Sequence, residues 1–264
     1  RMYASPELLN PAEPSWKRMA LDLTKHQIGV EMFMAAQSAC DLATMAPLAQ
    51  HSGGDLKFYP GFFGGRECDR ERLREDIQQT ICRNMGWEAV MRIRVSRGWR
   101  LTHFFGNLYK HERDLLVVPN VHEGQNVSVT VELADPQQKP EPIWCVQCAL
   151  LYTNSDNERR IRVHTVSGIT TNSPGDVLST VNAQEIATTV SNVCIDLCQQ
   201  AKIVDARNFM QTTCQHIMTA ANQAGVTENE QLKEIPRFFM GMLKCKAFME
   251  RDVLPDIRIA EWCR

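Results

Sequence analysis

The 264-residue sequence is 44% apolar and 23% charged, ordinary proportions for a globular chain, and its length suggests roughly two domains. A formal net charge of −2 argues against a general nucleic-acid binder, which carries a basic excess, so any basic recognition surface has to be local. No apolar run approaches the ~18 residues a membrane-crossing helix needs, and the ten cysteines, most of them inside apolar stretches, read as reduced, buried thiols in a cytosolic protein.

The stretch up to about residue 15 carries Pro6, Pro11 and Pro14. It reads as extended connection, without the apolar core of a signal peptide. Beginning on Arg1 and entering a strand pattern soon afterwards, the sequence reads as a piece of something longer. Residues 26–34 alternate, with Ile28, Val30, Met32 and Met34 on one face, which predicts a strand. A short helix is expected over 41–50, stopped by Gly53-Gly54, with a return strand at 56–59; strand, helix, strand is an α/β unit. In 68–84, Leu73, Ile77 and Ile81 recur every four residues among charged neighbours, predicting an amphipathic surface helix. Its charge run, 69–75, is then the solvated face.

The middle third changes character. Over 89–95, Met91, Ile93 and Val95 share one face and Arg92 and Arg94 the other. Val127, Val129, Val131 and Leu133 alternate over 126–133. The segment 143–152 is apolar on both faces, as a central buried strand is. Over 160–166, Ile161 and Val163 are expected inward, with Arg160, Arg162 and His164 outward. Short strands separated by polar turns predict an antiparallel sandwich or barrel. After Ser173-Pro174 the pattern is helical. Ile186, Val190, Val193, Leu197 and Ala201 form one stripe; Phe209, Met210, Ile217 and Ala221 form another, ended by Gly225. A third helix is expected to open near Pro236 and to carry Phe239, Met242 and Leu243.

No P-loop, GxSxG or HExxH motif is present, and none of the motifs points to catalysis. The pair Cys145 and Cys148 forms a CxxC. On a strand, positions i and i+3 face opposite sides, and no second CxxC or spaced His pair completes four ligands, so core packing outweighs metal or redox chemistry. His103, His111 and His122 lie in or near expected loops without an evident partner. The arginines are the distinctive group. Arg92 and Arg94 on one strand, and Arg160 and Arg162 on another, are able to line a carboxylate pocket, because a guanidinium binds a carboxylate through two parallel bonds and keeps its charge. The opposing reading, favoured by the pattern alone, makes them outward residues paired with local acids such as Glu132.

Several segments in order resemble one family. They are DLATMAPLAQHSGGDLKFYPGF at 41–62, WEAVMRIRVSRGWRLTHFFGNLY at 87–109 and CVQCALLYTNSDNERRIRVHT at 145–165, with the helix at 69–84 between the first two. Their order and spacing are similar to the cargo-selecting subunit of the COPII vesicle coat across about 40–250, and RDVLPDIRIAEWC resembles the approach to that family's gelsolin-like domain. The resemblance implies a multidomain α+β fold. Residues 1–84 would be the C-terminal part of a von Willebrand-A-like α/β trunk, 85–173 a β-sandwich or barrel, 174–250 an all-α domain, and 251–264 the start of a connection to a downstream domain. It also implies that zinc finger, early trunk and early barrel segments lie upstream, so no metal or other cofactor is expected here, and that the barrel has exposed edges. The implied role is an adaptor rather than an enzyme. It would bind cytosolic tails of SNAREs and other ER-export cargo, pair with the sister inner-coat subunit, meet the small coat GTPase and touch the ER membrane peripherally from the cytoplasm, with no nucleic acid bound.

By the same resemblance, the acidic-signal pocket falls on Arg92, Arg94 and Leu150; Arg160 and Arg162 are added from the strand pattern. The alternatives are the GTPase-activating sister subunit, a thiol-dependent enzyme using Cys145 or Cys148, and a scaffold without a ligand pocket.

Overall fold

The computed structural model describes residues 6–110, 114–135, 137, 140–200, 202–250 and 253–263. After a 3-10 turn at Pro6–Leu9, the first helix is α1 (Ser15–Lys25), which begins where the expected extended connection ends and is not among the expected elements. Gln27, at φ 59, turns the chain out of α1, and Ile28 N–H returns to Leu23 C=O. The expected strand at 26–34 is therefore confined to β1 (Met32–Ala36). Ile28 is exposed and Val30 N–H is taken by Ser52 Oγ at 3.0 Å.

Next come α2 (Leu42–Met45), α3 (Pro47–Ser52) and β2 (Leu56–Pro60), which pairs in parallel with β1. Gly53, at φ 79, ends α3 in the left-handed conformation that glycine adopts without strain. A Cβ on Gly54 would stand 2.0 Å from Val30 O, so the close crossing needs a bare Cα.

Helix α4 (Glu67–Cys82) forms as expected, but its apolar line stays largely uncovered. Ile81 is 75% exposed, and Thr80 is the buried residue. Eleven-residue β3 (Met85–Val95) follows, then β4 (Trp99–Phe105), β5 (Tyr109–Lys110), β6 (Leu115–His122), β7 (Ser128–Leu133), β8 (Ile143–Thr153) and β9 (Arg159–Ile169). These build an antiparallel sheet in the order β5-β6-β3-β8-β9 and a separate β4-β7 ladder.

Two expectations change here. β8 lies next to the edge and is half-buried, not a fully covered central strand. β9 is the edge itself. Ile161 and Val163, expected inward, are 70% and 52% exposed. Alternation sets which residues share a face, but a face is buried only where a second layer covers it, and none covers β9 among the described residues.

The helical third comprises α5 (Pro174–Ser179), α6 (Ala183–Gln200), α7 (Ile203–Ala224), α8 (Glu230–Lys244) and α9 (Pro255–Trp262). On α6 the buried stripe is Ala183, Ala187, Val190, Cys194 and Cys198, rotated from the expected one because small side chains seat the helix against its neighbours. Ala201 of the expected stripe lies outside the described residues. Met210 and Ala221 of α7 are buried as expected, whereas Phe209 is exposed. α8 opens at Asn229, whose side chain accepts from Gln231 N–H at 2.9 Å. Pro236 consequently sits inside the helix rather than at its start.

The segment 251–264, expected as a connection, instead contributes α9 to the main core. Asp256, buried, accepts from Cys40 N–H and Leu42 N–H, both at 2.8 Å, satisfying free donors at the start of α2. Ile259, Ala260, Trp262 and Cys263 pack into one continuous cluster with Leu42, Leu56, Phe58, Met210, Leu232 and Phe248. The core thus joins the α/β unit to the helices. The cysteines are all free, but only Cys194, Cys198 and Cys263 are buried; Cys68, Cys82 and Cys245 are exposed, which corrects the expectation of uniformly buried thiols.

Candidate functional site

The phase of β3 is set by a bulge. Glu88 adopts φ 51, and the register with β8 slips between Trp87 and Val90. Past it, Met91, Ile93 and Val95 share one face and Arg92 and Arg94 the other, with Ile93 buried. Residues directly opposite in an antiparallel ladder project on the same side. Arg92 lies opposite Ala149, which lies opposite Val163; Arg94 lies opposite Gln147, which lies opposite Thr165. The Gln147–Thr165 side-chain hydrogen bond, at 3.2 Å, belongs to that same row.

Leu150 lies opposite Met91 and Arg162, and Tyr152 opposite Arg160. Leu150, Arg160 and Arg162 therefore project from the other side of the sheet. The single pocket expected from Arg92, Arg94, Leu150, Arg160 and Arg162 does not form. Registers of adjacent strands decide which side chains meet, and the sequence of each strand taken separately does not contain them.

The two faces differ in their charge partners. Arg92 forms an ion pair with Asp114, Nε to Oδ2 at 3.0 Å and Nη2 to Oδ1 at 3.4 Å; both side chains are 38% exposed. Glu132, the acid considered as a partner from sequence, binds Arg100 instead at 3.2 Å. Arg94 is exposed and has no ion-pair or side-chain hydrogen-bond partner among the described residues. On the opposite face Arg160 is held by Glu158, and Arg162 has no such partner among the described residues. The side of the sheet carrying Arg92 and Arg94 thus presents one committed and one uncommitted guanidinium, with Ala149 and Val163 as its apolar flank in place of Leu150.

Cys145 lies opposite Ser167 and Cys148 opposite His164, so the two thiols leave opposite faces of β8. Burial pushes the Cys148 thiol up, away from the low values a nucleophilic thiolate needs. Among the described residues no group of three His, Cys, Asp or Glu side chains is placed to hold a metal ion, and no helix is long and apolar enough to cross a membrane. His103 stacks on Phe105, with ring centroids 6.4 Å apart; His111 lies outside the described residues.

Sequence reasoning missed a charged junction between the α/β unit and the sheet. Arg83 reaches Asp55 Oδ2 at 2.6 Å and Glu31 Oε1 at 2.5 Å. Glu31 Oε2 in turn accepts from Asp55 N–H at 3.0 Å. His122 Nε2, buried, stands 3.4 Å from Asp55 Oδ2 without hydrogen-bond alignment. Burial acts to raise the Asp55 carboxyl, but His122 and Arg83 outweigh it and hold the group at about 2. The residues come from four separate segments, and no spacing rule links them. A cavity of about 580 Å³ lies here, lined by Asp55, Lys57, Tyr59, Arg72, Arg83 and His122. Its Lys57 and Arg83 are already matched by acids, and its Arg72 lies over the Tyr59 ring.

Comparison with known proteins places these elements in context. Residues 4–81 match the family model for the Sec23/Sec24 trunk domain and residues 86–171 that for the Sec23/Sec24 beta-sandwich domain. The chain is 31% identical over 270 residues to the human protein transport protein Sec24A, with 97% of this chain and 24% of the relative covered. It is 30% identical over 248 residues to human Sec24B, with 91% and 20% covered. It is 28% identical over 271 residues to SEC24 of Dictyostelium discoideum, with 95% and 26% covered. The chain therefore spans less than a third of the length of these relatives. The crystal structure of the human COPII-coat protein Sec24c superimposes with a TM-score of 0.87 at 22% identity, over 97% of this chain and 35% of that one, a likeness of fold.

Proposed function

The chain belongs to the Sec23/Sec24 family and is of the Sec24 type, and from that premise we propose that it is part of a cargo-selecting adaptor of the COPII inner coat, acting in ER-to-Golgi transport by binding rather than by catalysis. Its partners in this reading are the sister inner-coat subunit, the small coat GTPase and the cytosolic tails of SNAREs and other export cargo. It works in the cytoplasm, peripheral to the ER membrane, and the binding chemistry requires no cofactor.

The observation that carries the site is the uncommitted Arg94 beside the Arg92–Asp114 pair. An acidic cargo tail would place a carboxylate on Arg94. Arg92 adds a positive field that Asp114 partly cancels, and Ala149 and Val163 cover the apolar part of the tail. A charge-assisted hydrogen bond contributes about 1.5–3 kcal/mol at most and less in solvent. A single tail therefore binds weakly, and many copies in a coat supply avidity. Leu150, Arg160 and Arg162 take no part, because they leave the other face.

The test is a panel of acidic tail peptides titrated by fluorescence anisotropy. Arg94→Glu should weaken binding by roughly tenfold, and Arg162→Glu should leave it unchanged. Equal binding by wild type and Arg94→Glu removes the site.

A further inference from the structure

The partner of Arg92 is itself a carboxylate, and it is loosely held. Asp114 stands at a bend one residue before β6, just outside the β3–β6 ladder, whose last pair sets Leu115 opposite Arg92. Its Oδ2 comes within 3.0 Å of Arg92 Nε, yet that donor is closed off from solvent without an aligned acceptor among the described residues. The second contact, Nη2 to Oδ1, is stretched to 3.4 Å. Charge-assisted bonds of good geometry are shorter, at about 2.7–2.9 Å, and Arg83 reaches Asp55 at 2.6 Å.

Nothing else ties the Asp114 carboxylate down. It has no other hydrogen bond or ion pair among the described residues. Being 38% exposed, it can return to water when released. The pair is held by charge more than by directed bonds, and a half-exposed pair of that kind is weak. Arg92 and Arg94 are two residues apart on one strand, so their Cα atoms stand about 7 Å apart on the same side. Guanidiniums on such long stems can close on a single carboxylate between them.

We propose that Asp114 is a built-in competitor for the tail carboxylate: it occupies Arg92 while the site is empty and is displaced when a carboxylate on Arg94 bridges both guanidiniums. The inference rests on the reading of Arg94 as the receiver of an acidic tail. Binding at Arg92 is then an exchange of one carboxylate for another, and only the contact with Arg94 is a net gain. Asp114 thereby sets the affinity of the site below what its two arginines would supply. It also spares the empty site two unpaired like charges side by side, which repel.

The test is a double-mutant cycle. An acidic tail peptide is titrated by fluorescence anisotropy into wild type, Asp114→Asn, Arg92→Met and the double variant, with thermal unfolding as the check on folding. Asp114→Asn should tighten binding roughly three- to fivefold, the worth of releasing an exposed pair, and Asp114→Ser should do the same. Asp114→Glu keeps the carboxylate and should stay within about twofold of wild type. In the Arg92→Met background the gain from Asp114→Asn should disappear once salt screens the general field. A gain that persists undiminished there shows that Asp114 does not act through Arg92 and overturns the proposal. Equal affinity of wild type and Asp114→Asn for a peptide that still needs Arg94 also overturns it, and leaves the Arg94 site standing. Peptide binding indifferent to Arg94 removes both.

Discussion

Replacing Arg83 with methionine tests how the α/β unit and the sheet are held together. The guanidinium bridges Asp55 and Glu31 at 2.6 and 2.5 Å, and its side chain is only 10% exposed. Methionine keeps most of the volume but leaves two carboxylates without their cation. Removing one partner of a buried pair costs about 3–5 kcal/mol, and urea unfolding at neutral pH should show a loss of that size. The pH dependence gives an independent reading. Asp55 titrates at about 2 in the folded protein against an ordinary 3.8. Its folded value is depressed, so its stabilisation, about 2.5 kcal/mol, is complete above pH 3.8 and is lost as pH falls from there through 2. In Arg83→Met the opposing effect of burial gains weight, the folded carboxyl rises, and this acid-side loss should shrink. A neutral-pH loss below about 1 kcal/mol, or an unchanged acid profile, refutes the reasoning.

Two further outcomes follow from buried groups elsewhere. Asp256→Ala leaves the amides of Cys40 and Leu42 without their acceptor and should cost about 3–5 kcal/mol, with Asp256→Asn intermediate, measured by urea unfolding. In the folded protein Cys68, Cys82 and Cys245 should react quickly with a thiol reagent, while Cys194 and Cys263, each pushed up to about 12 mainly by burial, stay protected until unfolding. Rapid labelling of Cys194 in the native state would contradict the packing of α6.

The parts of the fold legible in the sequence were those where a local pattern suffices. Alternation marked β3, fourfold recurrence marked α4, and Gly53 marked the end of α3. What could not be read depends on neighbours distant along the chain. α1, between the proline-bearing connection and the alternating stretch at 26–34, drew no expectation from the sequence; Pro14 lies just before it, where its missing N–H costs nothing. Ile161 and Val163 alternate as an inward row does, yet the layer that would bury them is absent among the described residues. α9 reads as a short mixed segment, and only its docking through Asp256 reveals it as core.

The candidate site was half legible. The sequence put Arg92 and Arg94 together and Arg160 and Arg162 together, but the shared face of the two pairs depended on the register through β8, and that register separates them. The Asp114 partner of Arg92, which lies 22 residues along the chain, was likewise invisible to spacing.

The central claim is that Arg94 receives a carboxylate from a partner tail, and a charge swap tests it most directly. Wild type and Arg94→Glu would each be titrated with an acidic tail peptide and with its lysine-substituted counterpart, at low and high salt. The account predicts that the preference inverts, with Arg94→Glu losing the acidic peptide and gaining the lysine peptide, and that both effects fade as salt rises. An acidic peptide that binds both proteins equally, with no gain for the lysine peptide, contradicts it.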